Sequence, residues 1–345
     1  MTQGHANDRG SHVVKRPPKP PIWLPWILGV ALLAVVVIAA LHYSEQEEIL
    51  RLMQRAHPWW LAAAFILQFL TYATESGIWL RVGEVSGARL SRRKAFQLSV
   101  AKLFVDQAIP SAGVGSGLFV AKALEQRRMP ERAVKAAVLL NFASFYLSYV
   151  VAMVVALFIL VRHGHVNRIV LGTSIASLVF ALAVSAILLA ASGHGLSRTA
   201  KWLKRLPFLR KVNAYLASAD PKIVRGPRIL RDTILLQLTI VVLDVGTIWA
   251  LIASFGIKAP LGGVFTSFMV ASMVRMMGIV PGGLGTFEAS SVLMLRLAGI
   301  DLPVALSATL LFRGLSFWLP MLPGWWLAHR AVRPDSHAPS RKPAR

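Results

Sequence analysis

The chain has 345 residues, 55% of them hydrophobic and 15% charged, and its mean hydropathy is +0.58. Soluble domains carry about 25% charged residues, so this composition excludes an ordinary soluble domain and a disordered chain and points to a membrane protein. The net charge is +23, and the absence of cysteine removes disulfides, thiolate nucleophiles and cysteine metal sites.

A hydrocarbon core of about 30 Å needs roughly 20 apolar residues per helix. In chain order, a basic tail at 1–21 precedes an apolar stretch at 22–42. That stretch is too long for a signal-peptide core and no small-x-small cleavage pattern follows, so it is expected to stay as an anchor. Further spans are expected at 58–80, 136–161, 168–191, 233–255 and 303–329, inside one membrane domain at 22–330. Two apolar stretches, 95–121 and 264–298, are interrupted by Pro and Gly, and a short tail at 331–345 is expected to be disordered.

The basic residues cluster. The N-terminal tail holds four, the loops 81–94 and 122–135 five each, the segment 192–232 ten and the C-terminal tail from Arg330 five. The positive-inside rule sends all these segments, and both termini, to the cytoplasm. The excess charge therefore reads as topology and not as nucleic-acid binding. Because 81–94 and 122–135 share a side, 95–121 cannot cross once, and the same parity applies to 264–298 from the outside. The expected fold is an all-α polytopic membrane protein with six full transmembrane helices and two re-entrant hairpins of opposite direction, in inverted-repeat halves. The hairpin tips fall at IPSAGVGSG, with Pro110, Gly113 and Gly115, and at VPGGLG, with Pro281, Gly282, Gly283 and Gly285. Pro removes a backbone donor and Gly permits the reversal. Paired broken segments in two halves point to a transporter site; the plainer alternative is two kinked helices packed through small residues.

The run RMMGIVPGGLGTFEAS, Arg275 to Ser290, resembles the signature of the lysylphosphatidylglycerol synthase transmembrane family. The family pattern Pro-Gly-Gly-x-Gly-x-x-Glu is matched by Pro281, Gly282, Gly283, Gly285 and Glu288. The later LLFRGLSFWLP, with Arg313, is similar to the family's terminal helix, and IPSAGVGSG resembles its first-half motif. The resemblance implies a fold of inverted halves with re-entrant helices, a lipid-flipping activity and residence in a bacterial inner membrane. Two departures bear on the head group: Asp106 stands where the family usually has Asn, and Asn141 occupies the neighbourhood of an acidic-Arg pair. A synthase half is not expected after the last span, where a short tail follows.

Ionisable residues within spans are functional candidates because each costs roughly 2.5–3.5 kcal/mol at mid-helix. They are Glu75, Lys102, Asp106, Asp244, Arg275, Glu288, Arg296 and Arg313. At about 1.5 Å per residue, Arg275 and Glu288 lie at similar depth on the two arms of the second hairpin. Two readings are open: a phosphate site made by Arg275, Arg313 and the Gly283–Gly285 backbone, or a structural Arg275–Glu288 pair. Lys102 and Asp106 are spaced for an i,i+4 pair; snorkelling is expected for Lys102 and Arg296, and partial solvation for Glu75. Asp244, with Glu75 as a second candidate, is suited to carry a coupling proton or to pair with an Arg. Trp202 to Lys211 alternates apolar and basic residues, as in a helix on an anionic membrane surface or in a loop that sets topology. No HExxH, GxSxG or Walker loop is present, so no enzyme, metal or cofactor is expected. The expected function is translocation of an anionic or phosphate-bearing lipid (phospholipid, isoprenoid or hopanoid-related) through a midplane site. The alternative is an accessory membrane protein that binds or organises lipid-synthesis enzymes. Anionic lipids are the expected partners, and a homo-oligomer is compatible with the sequence.

Overall fold

The computed structural model describes residues 56–331 apart from 88–89, 110, 112, 128, 163–167, 193–206 and 277–279, with scattered positions between 27 and 54. The terminal tails beyond these limits, most of the 22–42 span, Pro110 and residues 193–206, with the start of the Trp202 to Lys211 run, lie outside the described residues. Leu33, one of the described positions in the first span, packs near Val280, Leu284 and Phe317.

Every described element is a helix. In order they are α1 (Pro58–Val85), α2 (Arg92–Ala108), α3 (Val114–Glu125), α4 (Glu131–Arg162), α5 (Arg168–Ala191), α6 (Pro207–Ser218), the single turn α7 (Pro221–Val224) and α8 (Pro227–Ser254). Then come α9 (Leu261–Met276), a 3-10 turn (Pro281–Gly283), α10 (Thr286–Leu297), α11 (Leu302–Arg313), a π-helical turn (Gly314–Trp318) and α12 (Leu319–Ala331). Among the described residues, four helices are long and apolar enough to cross a membrane: Pro58–Val85, Glu131–Ile159, Pro227–Ser254 and Leu302–Ala331. The chain is an all-α, multi-pass integral membrane protein. Its helices overrun the expected spans by several residues at the basic end, where polar side chains reach water while the backbone stays hydrogen-bonded.

The interrupted stretches are broken helices. Ser91 caps α2 by accepting from the Lys94 N–H at 3.4 Å, and α2 ends before Pro110. Gly113 then opens α3 with φ 86°. The arms α2 and α3 pack against each other, as do α9 and α10. At about 1.5 Å per residue the first arms are about 25 Å long and the second arms about 18 Å, all shorter than a core of about 30 Å.

The basic segments meet at one end of the bundle. Arg81 pairs with Asp232 at 3.2 Å, and the Asp220 N–H donates to the Arg132 carbonyl at 3.2 Å. Arg225 donates to the carbonyls of Leu189 and Ala190 at 2.8 and 2.6 Å. Helix α12 lies along α2, with Ala328 against Ala101 and Val105, so Arg330 is carried toward that end. At the other end the His57 N–H donates to the Ser254 carbonyl at 2.8 Å, Trp249 donates to the Ala259 carbonyl at 3.1 Å, and Gly262 abuts Ile159. Helices α1 and α8 therefore run antiparallel. The α2–α3 pair opens at the basic end and the α9–α10 pair at the opposite end.

Apolar packing fills both ends. Trp79, Leu98, Leu124 and Leu140 are buried in one cluster. Phe268, Phe287 and Phe312 pack ring on ring in the other, with centroids 5.7 to 6.4 Å apart. Phe158, Val179 and Leu322 face outward, as lipid-facing side chains do.

Candidate functional site

The second tip is built on glycine because nothing larger fits. Gly282 and Gly283 have φ 54° and 68°, a region that favours glycine. A Cβ on Gly282 would collide with the Phe317 ring, and one on Gly283 with the Arg275 side chain. The Gly283 N–H donates to the Val280 carbonyl at 3.0 Å, so it is not free for an anion. Glu288 sits in the first turn of α10, where the helix dipole favours a carboxylate.

Arg313 locks this tip. Its Nε donates to Glu288 Oε1 at 2.7 Å and its Nη2 to the Gly282 carbonyl at 3.0 Å. Its guanidinium lies 4.4 Å from the Phe317 ring centroid and 5.3 Å from that of Phe287. Arg313 is 4% exposed and Glu288 1%. The register argument that brought Arg275 to Glu288 is thus corrected: the nearer cation comes from α11. Arg313, expected in the phosphate site, has its Nε and Nη2 engaged by protein groups.

Phe317 and Arg313 are aimed by the π turn. The Leu319 N–H donates to Gly314, five residues back, which leaves the Leu315 carbonyl without it. Pro320 has no N–H for the Ser316 carbonyl. Two side chains take up these acceptors: the Tyr72 hydroxyl donates to the Leu315 carbonyl, and Gln107 Nε2 donates to the Ser316 carbonyl at 2.9 Å. Helices α1 and α2 thereby hold the turn that positions the clamp.

At the first hairpin, Lys102 bridges Glu75 and Asp106, both at 3.0 Å. The i,i+4 pair forms as its spacing suggests. The expectation of snorkelling for Lys102 and of solvation for Glu75 is corrected, because each finds its counter-charge inside the bundle; Glu75 is buried. Gly113 is pressed against Phe142, and the Gly115 N–H donates to Ser111 Oγ at 2.9 Å. Arg296, by contrast, is half-exposed and 3.6 Å from Asp301 at the end of α10.

Both tips face one cavity of about 260 Å³. Its wall includes Glu75, Lys102, Asp106, Asp244, Arg275 and Arg313, so six of the eight intramembrane ionisable residues converge there. Gly113, Gly282 and Gly283 also line it, whereas Pro281, Gly285, Gly115 and Glu288 do not. Arg275 is exposed to this space and makes no ion pair or hydrogen bond with the described residues. Asp244 accepts from Thr71 Oγ1 at 3.2 Å and from Gln68 Nε2 at 3.4 Å, with no Arg or Lys partner among the described residues. Gln237 donates to Asn141 at 3.4 Å on the same wall. Gln68, Thr71 and Glu75 were readable as one polar stripe, since they are three and four residues apart on an otherwise apolar helix.

Residues 26–324 match the family described as the lysylphosphatidylglycerol synthase TM region. The chain belongs to this family. It is also similar to UPF0104 membrane proteins of archaea. One from Pyrococcus horikoshii is 25% identical over 322 residues, covering 86% of this chain and 93% of the relative. One from Methanocaldococcus jannaschii is 22% identical over 312 residues, covering 84% and 90%. In this member of the family, the Pro-Gly-Gly-x-Gly-x-x-Glu motif has a local physical reason at each end: Gly282 and Gly283 make room for Phe317 and Arg275, and Glu288 receives Arg313.

Proposed function

We propose that this protein translocates a lipid bearing an anionic or phosphate head group across the cytoplasmic membrane, and that the central cavity holds the head group. The observation that carries this reading is Arg275: a cation about 21 Å along α9 from its start, at about 1.5 Å per residue, facing a shared cavity with no ion-pair partner among the described residues. An intramembrane charge of that kind is retained for a substrate or ion, and a guanidinium forks onto phosphate oxygens. A cavity of about 260 Å³ is near the low end of ligand sites, roughly 300–1,000 Å³, so it suits a head group whose chains remain in the bilayer. The two broken helix pairs are read as re-entrant hairpins of inverted halves: α1, α2–α3 and α4 against α8, α9–α10 and α11–α12. Their opposite openings, short arms and converging tips support that reading. The basic end is read as cytoplasmic by charge bias. The family membership supports a lipid role and the protein is read as a carrier, not an enzyme.

The test is a reconstituted-liposome flip assay with fluorescent lipids of several head groups, wild type beside Arg275→Ala. The expected result is wild-type flipping that favours anionic head groups and falls at least tenfold in the variant. Equal flipping by both proteins would remove Arg275 from the site. No flipping by folded wild type of any lipid tested would favour the accessory role.

A further inference from the structure

Asp244 is unlike the other carboxylates of the cavity. Glu75 and Asp106 share Lys102, and Glu288 has Arg313. Asp244 lies well inside α8 and has only neutral donors, Thr71 and Gln68, from one face of α1. The Gln68 side chain is 2% exposed, and its Oε1 is buried without a hydrogen-bond partner. The Asp244 carboxylate and the Thr71 hydroxyl thus meet at one point on the cavity wall, beside a Gln68 amide whose oxygen is still unused; oxygen donors of this kind suit a hard cation or a proton.

The charges around this point set a coupling. Asp244 feels Arg275 from α9 and Glu75 from α1. Tyr72 of α1 and Tyr146 of α4 line the same cavity. Arg313 of α11 is neutralised by Glu288, and α2 presents the Lys102–Asp106 pair. Arg275, which makes no ion pair or hydrogen bond with the described residues, is therefore the positive charge that balances Asp244. A phosphate drawn to Arg275 cancels that balance.

We infer that Asp244, Thr71 and Gln68 form a binding site for one monovalent cation, H⁺ or Na⁺, that is taken up when an anionic head group occupies Arg275. The inference rests on the transport reading for the second ligand, but the cation site itself does not. Linkage makes the effect reciprocal: the cation tightens head-group binding by the factor by which the head group tightens cation binding. Lipid movement is then driven by a cation gradient, without nucleotide hydrolysis.

The test is the thermal midpoint of the purified full chain in detergent, since a ligand that binds only the folded state raises it. Sodium chloride is titrated against choline chloride at constant ionic strength, and pH is varied separately. Both titrations are run with and without phosphatidylglycerol, on wild type, Asp244→Asn and Arg275→Gln. The expected result is a wild-type response to Na⁺ or to pH, which identifies the cation, and no such response in Asp244→Asn. In Arg275→Gln the response moves to about fivefold lower cation concentration, because a competing positive charge is gone. If Asp244→Asn does not fold, the Arg275→Gln shift decides. A wild-type response no different from that of Asp244→Asn, or an unmoved midpoint in Arg275→Gln, overturns the site. A cation response from protein that flips no lipid would sink the transport reading and leave the site standing.

Discussion

Two arginines reach the same cavity and do opposite jobs. Arg313 is engaged by Glu288, the Gly282 carbonyl and two aromatic rings, whereas Arg275 makes no ion pair or hydrogen bond with the described residues. Arg313→Ala leaves Glu288 buried and unpaired, and breaking a buried pair in this way costs about 3–5 kcal/mol. The variant is expected to unfold at clearly lower temperature in detergent, with Arg313→Ala/Glu288→Gln recovering part of the loss because no buried charge is stranded. A single variant as stable as wild type would show that the clamp contributes nothing. The sequence marked both arginines and Glu288 and left open a phosphate site or an Arg275–Glu288 pair; the pair that forms is Arg313–Glu288. The depth argument used distance along the hairpin alone, and it could not see that α11 runs behind the tip and delivers Arg313 to the carboxylate first.

At the scale of the elements, the π turn within the α11–α12 span matters as much as the breaks in the hairpins. The sequence shows one apolar span over 303–329, and the structure has one there, Leu302–Ala331, with a π turn inside it. What could be read was the missing donor at Pro320; what could not was the π turn, which depends on Tyr72 and Gln107 arriving from two other helices. A carbonyl deprived of its donor in an apolar surrounding costs about 1–3 kcal/mol. Tyr72→Phe and Gln107→Leu should each lower stability by about that amount. The double variant should release the turn, seen as faster amide exchange over 313–319 than over the rest of α11 and α12. Exchange that stays slow there would mean the turn is fixed by its own backbone. The two interrupted stretches were legible for the opposite reason: their punctuation is local, and Gly282 and Gly283 carry the left-handed φ in their own residue type.

For the whole molecule the decisive quantity is where charge lies along the bundle axis. Counting Lys and Arg by loop gave the grouping that the fold displays, with 81–94, 122–135 and 207–232 gathered at one end and His57, Ser254 and Ile159 at the other. That grouping was readable because topology is set by charge number, which survives ignorance of every contact. The absence of native cysteine makes it directly testable, since a single introduced thiol is the only one in the chain. Glu84, Glu125 and Arg228 are exposed at the basic end, and Trp59 and Asp301 at the opposite end. Replaced one at a time by Cys in spheroplasts, the first three should resist a membrane-impermeant maleimide until the membrane is opened, and the last two should react at once. The decisive comparison is Glu84 with Glu125. They bracket the α2–α3 pair, so a single crossing through 92–125 would expose one and hide the other, while a hairpin hides both. Glu125→Cys labelled from outside, with Glu84→Cys protected, would replace the re-entrant arrangement by a kinked span and separate the two tips.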